Sequence, residues 1–308
     1  MIVHDFYGAN DLLGSIIQKG DPASILRIDN TASYGIQQLV HGKLPSREYV
    51  NENSLVEGGI SPPNLHYLFD VVWRQTFDIM LKSDVLGMVD ISGNIARDVE
   101  YLTSNFQNKH IFFEYFVVDP IALLGVSSYG PVNIPWPAYL KGKKVLALSS
   151  HANTIKHQWK NIDLIWGNNR DLIAPFDLVD AISTPYHPLI DDRQYPNCEN
   201  FEQLVQITKD RIDQYDYDVL LTGITTQSPF YVDHAKKMGK IGIQTGGVLQ
   251  LFFGILGERW AGPNTGYKNW DKMYNEHWMY PLDIDEAQKR KQMQDINLET
   301  SYAYWKRT

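Results

Sequence analysis

The chain has 308 residues, enough for one large α/β domain or two smaller ones with a sizeable core. Its 28 basic and 36 acidic side chains leave a net charge of −8, which argues against a general affinity for nucleic-acid phosphates. Hydrophobic residues at 44% and charged residues at 21% are those of an ordinary globular protein, and the single cysteine, Cys198, excludes an intrachain disulfide and any CxxC zinc site.

The start Met1-Ile-Val-His-Asp-Phe-Tyr7 lacks the basic flank and long apolar run of a secretory leader. No window approaches the roughly 20 apolar residues needed to cross a bilayer. A cytoplasmic protein without a transmembrane segment is therefore expected. Along the chain, apolar runs of strand length recur at 24–28, 85–91, 110–118, 144–149, 172–175, 218–222 and 240–245. Helical periodicity separates several of them, at 65–82, 95–106, 154–164, 201–215 and 230–238. Alternation at this spacing predicts a Rossmann-like α/β fold, a mostly parallel sheet with helices on both faces, whose ligands belong at the carboxyl ends of the strands.

The Pro- and Gly-rich stretch at 125–137 marks the strongest internal boundary, and the expectation is one composite domain over 1–308 with a boundary candidate at 125–140. Residues 285–308 read as a solvated, charged tail. The most informative stretch follows the last strand. A short apolar run ends at Thr245, Gly246 and Gly247 permit a tight turn, and a helix-like segment begins at Val248. Such a turn aims backbone N–H groups and the positive end of a helix at a ligand above the strand, which suits a phosphate. Close packing alone would also explain the two glycines.

Several blocks together resemble one family. They are Pro135-Trp136, the run 140–146, the segments Thr154 to Trp159, Asp218 to Gly223 and His234 to Lys240, then the ordered set Gly246-Gly247, Gln250, Phe253-Gly254, Gly257, Arg259-Trp260, Asn275 and Trp278. Over about residues 20 to 285 this pattern is similar to the GT-D-type glycosyltransferase-like proteins of polysaccharide biosynthesis. The resemblance implies a fold that takes a nucleotide-diphosphate sugar, a UDP-type donor first, and passes the sugar to a glycan or lipid-linked acceptor. In that family an Asp-x-Glu element after the first strand is associated with a divalent metal, Mn²⁺ or Mg²⁺, and with the donor diphosphate. Aligned on Arg27, the Asp of that element falls on Asn30 and its Glu on Ala32. Asp29, one position out of place, is the remaining candidate metal ligand.

Glycosyl transfer must stabilise the charge that builds on the departing diphosphate. Arg27 and Arg259 are the candidate cations, since a guanidinium fork matches two phosphate oxygens, and Gly246 and Gly247 are the candidate N–H donors. Asn30, Thr225 and Gln250 complete the candidate donor-binding set. Asp90, at the end of its predicted strand, and Asp29 are the candidate catalytic carboxylates; capping of the next helix is the alternative role for Asp90. Ser149, Ser150 and His151 end another strand and suit phosphate or sugar hydroxyls. Trp260, Tyr267, Trp270 and Trp278 suit either a sugar-facing wall or packing of the last segment. Two other readings stay open: a binding protein that has lost transfer activity, and a structural subunit of a polysaccharide-synthesis complex. Monomer and homo-oligomer are both open.

Overall fold

The computed structural model describes residues 2–4, 6–28, 72–88, 110–112, 134–173, 175–184, 201–224, 227–256 and 274–283. Within them, β1 (Ile2–His4), β2 (Ala23–Ile28), β3 (Val85–Met88), β4 (His110–Phe112), β5 (Lys144–Leu148), β6 (Asp177–Ile182), β7 (Val219–Thr222) and β8 (Ile241–Gln244) form one sheet in the order β1-β4-β3-β2-β8-β7-β5-β6. Every pairing is parallel. The expected α/β architecture is the observed one. Strands from both sides of the 125–140 segment meet at the β2–β8 pairing in the middle of the sheet.

A parallel sheet needs cover on both faces, and the central strands are apolar on both. In β5, Val145 and Ala147 point into one core and Leu146 and Leu148 into the other. The first core is covered by α1 (Phe6–Lys19), the 3-10 helix Trp136–Leu140, α3 (Ala152–Trp159), α4 (Ile162–Trp166) and α7 (Val248–Phe252). The second lies under α2 (Arg74–Lys82), α5 (Phe201–Ile212) and α6 (Ser228–Lys237). Among the described residues, connections that move one way along the sheet run over the first face and those that move back run over the second, as a single crossover hand requires. Fully burying one such Leu or Ile contributes about 1.5–3 kcal/mol, so these two cores dominate stability.

Three expectations are corrected. Residues 172–175 are not a strand: Leu172 closes the 3-10 turn Gly167–Leu172, Ile173 is buried, and the edge strand is β6, two residues beyond Pro175. Proline has no N–H for a ladder, and the acids Asp177 and Asp180 break the apolar run of β6. A register shift opposite Val145/Leu146 and the charge of Asp180 blunt this edge against further pairing. The predicted helix 154–164 is two, α3 and α4, and the break lets Trp159 stack on Phe176 with ring centroids 4.5 Å apart. Finally, β1 and α1 add to the predicted set. Gly8 and Gly14 weaken the helical signal of α1, and Gly14 is there because a Cβ would come 2.5 Å from the ring of Tyr139. The predicted helix at 95–106 lies outside the described residues. No helix among the described residues is long and apolar enough to cross a membrane.

At the amino ends of the strands Asp84 ties three elements together. Its carboxylate accepts the Ser24 N–H at 2.8 Å, the Ser24 hydroxyl at 3.1 Å and Lys236 Nζ of α6 at 2.7 Å. Burial pushes the Asp84 carboxyl up, but the Lys236 and Ser24 bonds together outweigh it and hold the group below the ordinary carboxylate value. A depressed folded-state value stabilises the protein above the unfolded value and is lost as pH falls through the folded one. Asp84→Asn is therefore expected to cost about 1 kcal/mol at neutral pH, discounted for partial exposure, with the gap to wild type closing below about pH 4. Urea unfolding of both proteins at several pH values checks this; a gap that stays constant with pH would refute it.

Candidate functional site

The carboxyl ends of β2 and β8 lie side by side at the centre of the sheet. Their ladder stops at Ile25 and Ile243, and beyond it the Gln244 side-chain oxygen accepts the Arg27 N–H at 3.2 Å. A side chain replaces a backbone partner there because the backbone ladder has ended, at the kind of central strand-end position where α/β sheets bind ligands. Arg27 is buried there, 5% exposed, and donates from Nη1 to the Thr245 carbonyl at 3.1 Å.

Gly246 faces that guanidinium. Its φ is +62°, which favours glycine, and a Cβ would stand 2.5 Å from Arg27 Nη1, so a side chain there would have to displace the guanidinium. The Thr222 carbonyl at the end of β7 holds the turn from the other side. It accepts Thr245 N–H at 2.9 Å, the Thr245 hydroxyl at 2.9 Å and Gly246 N–H at 3.1 Å. Gly223 completes the contact, because a Cβ there would come 3.2 Å from the Gly246 carbonyl. The ends of three strands thus lock one turn.

Two features differ from the sequence expectation. The N–H of Gly246 is committed to Thr222, so of the two glycines only the N–H of Gly247 has no carbonyl partner among the described residues. And α7 spans five residues, too short to present a helix terminus of any strength. Gln250, in α7, is half-buried, with its carbonyl accepting from Phe253 and Ile255. Asp29, Asn30, Asp90, Thr225 and Arg259 lie outside the described residues, as do Trp260, Tyr267 and Trp270.

Other positions carried by the resemblance have structural work in the described residues. Trp278 is buried and donates Nε1–H to the Ile165 carbonyl at 3.3 Å. Asn275 donates Nδ2–H to the Leu164 and Ile165 carbonyls that end α4. Gly254, with φ +63°, packs where a Cβ would stand 2.5 Å from Ile165. Trp278 is thus packing rather than sugar-facing wall.

The second group of strand ends is that of β5, where the loop Ser149 to His151 leads into α3. His151 N–H donates to Ser149 Oγ at 3.1 Å, and the imidazole is buried at 3% exposure. Burial pushes this histidine down to about 4, against the opposing pull of the Asp283 carboxylate, so the ring is neutral at physiological pH. Sequence reasoning missed Asp283 altogether. It lies 129 positions from Thr154, and no local signal links them.

Among the described residues no group of three His, Cys, Asp or Glu side chains is placed to hold a metal ion. Within residues 29–33, which lie outside the described ones, Asp29 is the one carboxylate, with Asn30 and Ala32 where the resembling family has Asp and Glu. Comparison with family models, with curated proteins and with solved structures finds nothing that matches this chain.

Proposed function

We propose that the chain is a glycosyltransferase that takes a nucleotide-diphosphate sugar at the carboxyl ends of β2 and β8. The observation that supports this most is the contact of Arg27 with the Thr245-Gly246 turn at the carboxyl ends of the two central parallel strands. In this reading Arg27 is a positioning residue. Its guanidinium sets the turn that presents the Gly247 N–H to the donor diphosphate, and Arg259 supplies the cation that meets phosphate oxygen directly. In the transfer, an acceptor hydroxyl attacks the anomeric carbon, its proton passes to Asp90, and the bond to the diphosphate breaks with its electron pair leaving on the nucleotide. No step is routed through a metal.

The test is thermal unfolding against a panel of nucleotides and nucleotide sugars, each with Mn²⁺ and with EDTA. A donor at about a hundred times its Kd adds roughly 2.7 kcal/mol to stability. Stabilisation by one nucleoside diphosphate and its sugars is the expected result, followed by a turnover loss of about ten-fold or more in Asp90→Asn and in Arg259→Ala. No response to any donor would end the reading. The replacement of both motif carboxylates favours one alternative, a sugar-nucleotide-binding protein without transfer activity. Donor stabilisation without any sugar transfer would establish it.

A further inference from the structure

The amino end of α3 carries an anion already. Asp283 reaches it from the far end of the described chain, with Oδ1 accepting the Asn153 N–H at 3.0 Å and Oδ2 the Thr154 N–H at 2.8 Å. The Thr154 hydroxyl donates to the same Oδ2 and accepts the Leu282 N–H at 2.8 Å. The residue in the N-cap position, His151, makes no side-chain cap of its own. A carboxylate on two successive first-turn N–H groups and a hydroxyl, above the carboxyl end of a parallel strand, occupies the place where such folds hold phosphate.

His151 is an independent sign that this place is built for more than a cap. Its Nδ1 is buried and has no hydrogen-bond partner among the described residues, and it belongs to the N-cap residue of the same helix end that holds Asp283. A buried polar nitrogen left unpaired is costly, and a ligand with further oxygens would satisfy it.

The chain that delivers Asp283 is anchored unevenly. Up to Met279 it is held firmly: Gln158 Nε2 donates to the His277 carbonyl at 2.9 Å, Trp278 is buried, and Met279 exchanges backbone bonds with Gly254 and Leu256. Beyond Met279 Pro281 is half-buried, while Tyr280 at 60% and Leu282 at 56% are exposed. Among the described residues the polar contacts of this end are those of Asp283 and the Leu282 N–H with the start of α3, and a phosphoryl group would take over those of Asp283.

We propose that the amino end of α3, with Asn153, Thr154 and His151, is a phosphate-binding site that Asp283 closes from within, and that Tyr280–Asp283 is the segment that swings away when the ligand enters. The site takes a phosphoryl group, whether of a nucleoside diphosphate or of a lipid-linked phosphate. It stands independently of the glycosyl-transfer reading, because inorganic pyrophosphate suffices to test it.

The experiment measures pyrophosphate binding by calorimetry to wild type, Asp283→Ala and Asp283→Asn, with the Asn153 and Thr154 amide resonances reporting the location. Removing the competing carboxylate is expected to tighten binding at least about ten-fold in Asp283→Ala and to shift both amides on titration. Asp283→Asn keeps a capping oxygen without the charge, so it preserves the fold if Asp283→Ala does not, and it is expected to gain about three-fold or more. Unchanged or weaker binding in the folded variants, or tighter binding that leaves those two amides unmoved, overturns the proposal. In the variant that binds, a nucleoside diphosphate that outcompetes pyrophosphate assigns the site to a soluble donor. A short-chain prenyl phosphate that does so assigns it to a lipid headgroup.

Discussion

Gly242→Ala is expected to destabilise the protein by about 3 kcal/mol or more, toward the upper end of what overpacking a core costs. Gly242 lies in β8 between β2 and β7, with α6 lying across it. An added Cβ would stand 2.7 Å from the Val232 carbonyl oxygen and 2.8 Å from the Val232 Cα. Both are backbone atoms of a helix whose Phe230, Tyr231 and Ala235 are buried, so the clash cannot be relieved by a rotamer change. Either α6 lifts from the sheet or β8 leaves its ladder. Gly142→Ala is the control. Its φ is +72° and nothing stands within 4 Å of its Cβ position, so it bears only the left-handed backbone cost, about 1 kcal/mol. Urea unfolding should show a much lower midpoint for Gly242→Ala at unchanged slope. Equal costs for the two variants would mean that α6 yields easily and that the close approach does not matter.

Gly246→Ala should cost about 2–4 kcal/mol, and most of that cost should depend on Arg27. The positive φ accounts for about 1 kcal/mol, which no second substitution removes. The remainder comes from displacing the buried guanidinium from the space beside Gly246 and from the Thr245 carbonyl. In an Arg27→Met background that space is free, so Gly246→Ala should then cost only about 1 kcal/mol. A double-mutant cycle read by urea unfolding should give a coupling of about 1–3 kcal/mol. Additive costs would show that guanidinium and turn are independent, and would remove the structural basis for treating Arg27 as the residue that sets the turn. Under the glycosyl-transfer proposal, both single variants also lose donor stabilisation in the thermal panel.

How much of this is legible in the sequence depends on the range of the interaction. The central strands β5, β7 and β8 read clearly because burial on both faces makes each a mostly apolar run. The edge strand β6 does not, since one flank faces water and its acids interrupt the pattern; Asp180 there finds Tyr215 and Lys156 as partners. In α1 the apolar spacing is present, but Gly14 reads as a breaker until Tyr139, from a segment 125 positions away, is placed against it. At the candidate site the turn at Gly246 is visible locally, because tandem glycines after an apolar run have few other uses.

What the sequence determines by itself is therefore what short-range physics carries: the alternation of strand and helix, the parallel sheet that follows from it, and a glycine turn at the end of β8. Tertiary structure alone decided that β2 lies beside β8. That neighbourhood puts the Arg27 guanidinium over Gly246, while the β7–β8 pairing commits the Gly246 N–H to Thr222 instead of leaving it for a ligand. It also decided that Asp283 caps α3 from 130 positions beyond Asn153. Contacts of that separation depend on strand order and on the cost of closing long loops, and neither quantity is written in any local window of residues.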